Sequence, residues 1–138
     1  MEENDKILIK SSTSNLSLVR GFIEHKAKSL NLDLLTTNQI VISVDEACTN
    51  IIKHTHKFND NQIIEIESFL TDNKFIIILK YKGEAFDPTK KQNPDMNEYF
   101  AKYKVGGLGI PLMKKSMDKI EFTHTKPDLN SLTLIKVI

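Results

Sequence analysis

Apolar side chains recur along the chain in two different rhythms. Between Leu16 and Leu30 they fall at Leu16, Val19, Ile23, Ala27 and Leu30, a spacing of three and four that draws one stripe down a helix. Ser11, Ser12, Thr13 and Ser14 come just before and supply a turn and a helix start. A second stripe, Ile40, Val44, Ala47, Cys48 and Ile51, predicts a second helix. It is expected to open at Thr36, where Gln39 lies three residues on and completes a reciprocal capping pattern. At about 100° per residue, Glu46, Asn50 and Lys53 then share the face opposite the stripe.

Elsewhere the rhythm is that of strands. From Gln62 to Leu70, Ile64, Ile66 and Ser68 fall on one side and Ile63, Glu65, Glu67 and Phe69 on the other. Phe75 to Leu79 is an unbroken apolar run of strand length, joined to the first strand through Thr71, Asp72, Asn73 and Lys74 as a hairpin. Lys6 to Ile9 forms an earlier strand, and Ile120 to Thr125 with Leu132 to Ile138 a final antiparallel pair. Gly83 to Pro88 breaks the pattern. Thr89 to Val105 reads as a long polar loop, and a glycine turn, Gly106 to Gly109, opens a helix running to about Met117. The order is strand, two helices, two strands, helix, two strands. Hairpins dominate, so the fold class is α+β: a two-layer sandwich with a mainly antiparallel sheet and the helices on one face.

Composition narrows the class without naming a function. Residues 1–138 suffice for a single domain with its own core. Nineteen basic side chains against 18 acidic ones leave a net charge of +1, which argues against direct nucleic-acid binding. The N-terminal residues lack the long apolar stretch of a signal peptide. The longest apolar run, Phe75 to Leu79, is too short to span a membrane. Cys48 is the single cysteine, so no internal disulfide forms. A cytoplasmic protein is the expectation.

Three segments carry candidate chemistry. In VDEACTNIIKH, residues 44 to 54, Glu46 and Asn50 stand one helical turn apart. A carboxylate and an amide oxygen so spaced can serve a hard cation and activate a hydroxyl, though such a pair alone more often belongs to a solvated face. In KGEAFDP, residues 82 to 88, Gly83 follows a strand and permits close backbone approach to a ligand. In VGGLGIPLMKKSMD, residues 105 to 118, glycines before a helix leave N–H groups facing an anion.

In this order and spacing, the three segments resemble the histidine-kinase-type ATPase family, and within it the anti-sigma serine kinases. These share the short length, the Lys-His closing the first motif, the Phe-Asp-Pro of the second, and the helix running on toward Leu112-Met113 and Met117-Asp118. The resemblance implies that ATP lies between the helices and a lid. Glu46 looks like the general base that accepts the proton of a partner's serine, and Asn50 like the magnesium ligand. Gly106, Gly107, Leu108 and Gly109 look like the turn that holds the phosphates. Lys53, His54, Tyr81, Gly83, Phe86, Asp87 and Ser131 fall at nucleotide-side positions of the motifs. Lys102 or Lys104 adds charge near the γ-phosphate by its sign and place. Arg20 lies where the family often sets an arginine that meets the protein partner. The implied partners are a sigma factor and an anti-anti-sigma protein of the STAS type, and pairing with a second copy is left open.

The departures lie on the adenine side. The family's second motif begins with an aspartate that accepts the adenine amino group; here that position is Tyr81. The final motif usually reads Gly-Thr-Thr; here Leu129, Asn130 and Ser131 stand there, with the register open by one residue. Losing one buried charge-assisted contact costs about 1.5–3 kcal/mol. Three functions therefore stay open: an ATP-dependent kinase that sequesters a sigma factor, a non-catalytic partner-binding module of the same fold, and a detached sensor-kinase domain.

Overall fold

The computed structural model describes residues 5–84 and 116–138. Strand β1 (Asp5–Lys10) turns its Ile9 into the core. A short 3-10 turn over Thr13–Asn15 follows, with Ser12 capping it by accepting from the Ser14 amide at 3.3 Å. Helix α1 (Leu16–Ser29) buries Leu16, Val19, Ile23 and Ala27, the predicted stripe. Asn31 ends it in a left-handed conformation, φ 58°. The Leu32 amide then donates to the Ala27 carbonyl and the Asn31 amide to that of Lys28, which satisfies two carbonyls the helix end leaves open.

Helix α2 (Leu34–Asn50) begins earlier than Thr36, which corrects the expected cap. Its N-cap is Asp33, whose Oδ1 accepts from the Thr36 amide at 2.7 Å. A carboxylate at the positive end of a helix satisfies a free amide and opposes the helix dipole. α2 buries Ile40, Ser43, Val44, Ala47, Cys48 and Asn50. It runs directly into a π turn, Ile51–Thr55, in which the His56 amide reaches back five residues to the Ile51 carbonyl at 2.8 Å. Ile51 and Ile52 are both buried there.

Strands β2 (Ile63–Thr71) and β3 (Lys74–Lys82) form the predicted hairpin. Asp72 and Asn73 connect them, both with positive φ, the geometry that matches the twist of paired strands. β4 (Lys119–Thr125) and β5 (Leu129–Val137) form a second hairpin, whose connection contains a cis Lys126–Pro127 peptide. The sheet order is β1-β2-β3-β5-β4, with every neighbour antiparallel. Ile64, Ile66, Phe75, Ile77, Leu79 and Leu134 have no exposed area and meet Val19, Ile23, Ile40 and Val44 in one core. Each such side chain stabilises the fold by about 2 kcal/mol relative to exposure. The described residues thus form an α+β structure with a five-stranded antiparallel sheet. None of the described helices is long and apolar enough to cross a membrane.

β3 and β5 are each three residues longer at one end than the apolar pattern predicts. Lys80, Tyr81 and Lys82 continue β3 with Tyr81 pointing inward, and Asn130 faces inward at the start of β5. The helix expected from Gly106 to Met117 lies outside the described residues except at its end, where Ser116 is helical.

Candidate functional site

The late turns of α2 bring Glu46 and Asn50 onto one face. Glu46 is half-buried. Loss of solvent pushes its carboxyl above the usual range, the neighbouring Asp45 charge adds to this, and Lys53 opposes it. Lys53 is therefore close enough to act on Glu46 across the π turn, as the helical spacing predicts. Asn50 is 8% exposed, and its Oδ1 is buried without a hydrogen-bond donor among the described residues. A buried amide oxygen left unpaired costs about 1–3 kcal/mol, so it is suited to a cation or donor that arrives with a ligand. Among the described residues no group of three or more His, Cys, Asp or Glu side chains is arranged to hold a metal. A magnesium ion at Asn50 would draw most of its oxygen shell from phosphates and water, as that ion commonly does. The unpaired Asn50 oxygen therefore fits a magnesium ion brought by a ligand.

The second motif is held against the end of the first. His56 sits between Ser11 Oγ, 2.7 Å from its Nδ1, and the Lys82 carbonyl, 2.7 Å from its Nε2. A carbonyl only accepts, so Nε2 carries the hydrogen and Nδ1 accepts from the serine hydroxyl. Burial lowers the affinity of His56 for a second proton, and the bond to Lys82 offsets this in part. Gly83 has φ 142°, and a Cβ there would stand 2.4 Å from Thr55 Cγ2. Only glycine lets β3 end this close to the π turn.

A second histidine fixes the other side of the same turn. His124 Nδ1 donates to Asn130 Oδ1 at 2.7 Å, and Asn130 Nδ2 donates to the Gly83 carbonyl at 3.0 Å. The Gly83 amide donates to the Asp128 carbonyl at 2.8 Å. Asn130 is fully buried and pairs across the strands with Tyr81.

Tyr81 is itself a core residue, 4% exposed, with its ring edge-on to that of His56. It is no carboxylate acceptor, and its ring fills the space that a smaller acidic side chain would leave open. Position 81 thus offers no carboxylate to an adenine amino group. Ser131 pairs with Lys80 on the opposite face of the sheet from Asn130, away from the buried layer. The period-two run Asn130, Leu132, Leu134 was the signal that could have placed Asn130 inward and Ser131 outward. Arg20 lies on α1, its Nε 3.2 Å from Asp45 Oδ1 on α2. His54 is half-buried beside Lys53. Phe86, Asp87, Lys102, Lys104, Gly106, Gly107, Leu108 and Gly109 lie outside the described residues.

The layered arrangement, the Glu46–Asn50 helix and the glycine-ended strand beside it coincide with a sequence match that spans nearly the whole chain. Residues 9–136 match the histidine kinase-like ATPase domain. The chain belongs to that family. Its relatives include the serine-protein kinase RsbW of Bacillus pumilus, 34% identical over 121 residues that cover 83% of this chain and 68% of the relative. The serine-protein kinase RsbW of Staphylococcus aureus (strain MSSA476) is 40% identical over 84 residues, 57% of this chain and 53% of the relative. That of Bacillus subtilis is 33% identical over 84 residues, 57% of this chain and 52% of the relative. The match thus spans about half the length of the latter two kinases.

Proposed function

We propose that this protein is an anti-sigma regulator that phosphorylates a serine on an antagonist protein and also binds a sigma factor. The observation that carries the reading is the pairing of Glu46, a carboxyl with raised proton affinity, with the unsatisfied buried oxygen of Asn50 one turn away. The kinase names of the relatives support it. Bound ATP with magnesium supplies the phosphoryl group, and Asn50 would hold the metal. Glu46 takes the proton from the attacking serine hydroxyl. Because it must be ionised to do so, the rate falls as pH drops through its raised pKa, at a higher pH than for an ordinary carboxylate. The Lys53 charge favours the ionised form, against the larger effects of burial and Asp45. The partners in this reading are the sigma factor and a STAS-type anti-anti-sigma protein, and residues 1–138 act as one cytoplasmic domain.

Glu46→Gln tests this directly. Phosphoryl transfer should fall by roughly 10²–10⁴, with nucleotide affinity retained. Unchanged transfer in this variant would remove Glu46 from the mechanism.

Tyr81 supports a second reading, a partner-binding module with reduced use of the nucleotide. Its buried ring stands where the resemblance implies the adenine-reading aspartate. Titration of the purified protein with magnesium and ATP or GTP separates the two. Tight, adenine-selective binding supports the kinase; no binding of either nucleotide supports the module.

A further inference from the structure

The strand register sets Ile9, Ile64, Tyr81, Asn130 and His124 in one row across the sheet, at the end where β3 meets the π turn. Ile9 and Tyr81 are 4% exposed, and Ile64 and Asn130 not at all. His124, on the edge strand β4, is the member of the row that stays partly exposed. It shares the inner face of β4 with Ile120 and Phe122, which pack against the core.

Hydrogen bonding fixes the state of its ring. The Gly83 carbonyl only accepts, so the Asn130 atom 3.0 Å from it is the amide nitrogen. The amide oxygen then faces His124 Nδ1 at 2.7 Å. That oxygen also only accepts, so Nδ1 carries the hydrogen and the lone pair of the neutral ring sits on Nε2. Holding the Gly83 turn requires Asn130 alone, and Nε2 adds nothing to it. Among the described residues Nε2 has no hydrogen-bond partner. An oriented acceptor thus stands in the same row as Tyr81, the position where the resemblance implies a carboxylate and this chain has none.

We propose that His124 reads the nucleotide base, its Nε2 accepting a hydrogen bond from the adenine amino group, and that Asn130 is the positioning residue that keeps the lone pair there. This rests on the nucleotide-binding part of the kinase reading above. The chemistry discriminates between bases. A 6-amino group donates to the lone pair, whereas a 6-oxo group, as in guanine or hypoxanthine, sets a second lone pair against it. A neutral acceptor gives a weaker preference than a carboxylate does.

The test uses the full chain with magnesium, titrated by calorimetry with three nucleotides. These are ATP, purine riboside triphosphate, which lacks the amino group, and inosine triphosphate, which carries an oxo group in its place. The parent should bind ATP about three- to tenfold tighter than purine riboside triphosphate, the worth of one neutral hydrogen bond. Inosine triphosphate should bind no tighter than purine riboside triphosphate. His124→Phe keeps a ring at the position and should lose the preference for ATP, with its affinity for purine riboside triphosphate unchanged. Thr123→Ala, on the outer face of β4, is the control and should bind all three like the parent. Nitrogen-15 NMR of the free protein in mildly alkaline buffer should place the His124 hydrogen on Nδ1, and in Asn130→Leu that hydrogen should move toward Nε2. ATP should shift the Nε2 signal of the parent, and purine riboside triphosphate should not. A hydrogen on Nε2 in the parent, an undiminished ATP preference in His124→Phe, or an equal loss for all three nucleotides would overturn the proposal and leave the kinase reading standing. If the parent binds none of the three, the reading and the proposal fall together.

Discussion

The imidazole of His56 meets the ring of Tyr81 edge-on, with centroids 6.0 Å apart and planes at 82°. This contact joins the end of the first motif to the strand that carries the second. Tyr81 is thereby part of the core.

Tyr81→Asp should accordingly destabilise the fold rather than restore an adenine contact. It would place a carboxylate in a site that is 4% exposed, where an unpaired charge costs roughly 3 kcal/mol or more. Tyr81→Phe keeps the ring and should cost far less. Urea midpoints of the two variants, with ATP titrations of each, make the comparison. A Tyr81→Asp protein as stable as the parent and tighter for ATP would mean that the ring leaves room for a base after all.

His56 gives the fold a dependence on mild acid. Burial keeps its folded-state pKa below the ordinary value, and the neutral ring makes both of its hydrogen bonds. In the unfolded chain the ring takes up a proton near about pH 6.5, while the folded ring resists. The contribution of His56 is thus complete above that pH and is lost as pH falls toward the folded pKa. His56→Gln should be less stable than the parent at pH 8, with a gap that narrows as pH is lowered toward 5. A gap that stays constant would show that the buried ring does not titrate as its surroundings require.

The helical stripes and the alternation of β2 were legible because they are local. Val19, Ile23, Ala27, Ile64 and Ile66 are all buried as their spacing predicts. The start of α2 was not, because Leu34 and Leu35 are apolar yet exposed and so lie off the stripe that marks the helix. The ends of β3 and β5 carry Lys82 and Asn130, polar residues whose strand character comes from pairing rather than from their own preferences. Within the candidate site the Glu46–Asn50 spacing could be read directly. His56 could not: its partners Ser11 and Lys82 lie 45 and 26 residues away. Nor could Asp45, whose partner sits on another helix.

The cap of α2 can be checked by comparing two neighbours. Asp33→Ala should lower the thermal midpoint more than Thr36→Ala, because it removes both hydrogen bonds that Asp33 accepts from Thr36, whereas Thr36→Ala removes the side-chain bond and keeps the 2.7 Å amide contact. Asp33→Asn should keep most of the cap. The hydrogen bonds to Thr36 hold the Asp33 pKa below its ordinary value, so its contribution is present above the unfolded pKa and is lost as pH falls through the folded one. A larger effect from Thr36→Ala would return the cap to the position read from the sequence pattern.

Cys48 should report global unfolding. It has no exposed area, and burial followed by the Asp45 charge pushes its thiol well above the usual range. Thiolate is the reactive form, so a thiol reagent should label the native protein only as fast as the fold opens, and labelling should accelerate with urea along the unfolding curve. Rapid labelling in buffer alone would contradict the packing of α2 against the sheet.

Gly83 ends β3 against the π turn, and Gly83→Ala should push the two apart. The added Cβ would meet Thr55 Cγ2 at 2.4 Å, and a threonine methyl on a branched side chain has little freedom to move aside. The backbone adds its own penalty, since φ 142° is rarely adopted by a residue with a side chain. Together these should cost roughly 3 kcal/mol, about half from crowding and half from backbone strain. Thr55→Ser removes the methyl but leaves the backbone as it is. The double variant Gly83→Ala with Thr55→Ser should therefore recover the crowding share and keep the strain share, measured as urea unfolding free energies. The Gly83 amide, which donates to the Asp128 carbonyl, should exchange faster in the single variant and recover in part in the double. A single variant as stable as the parent would show that β3 can end without pressing on the π turn.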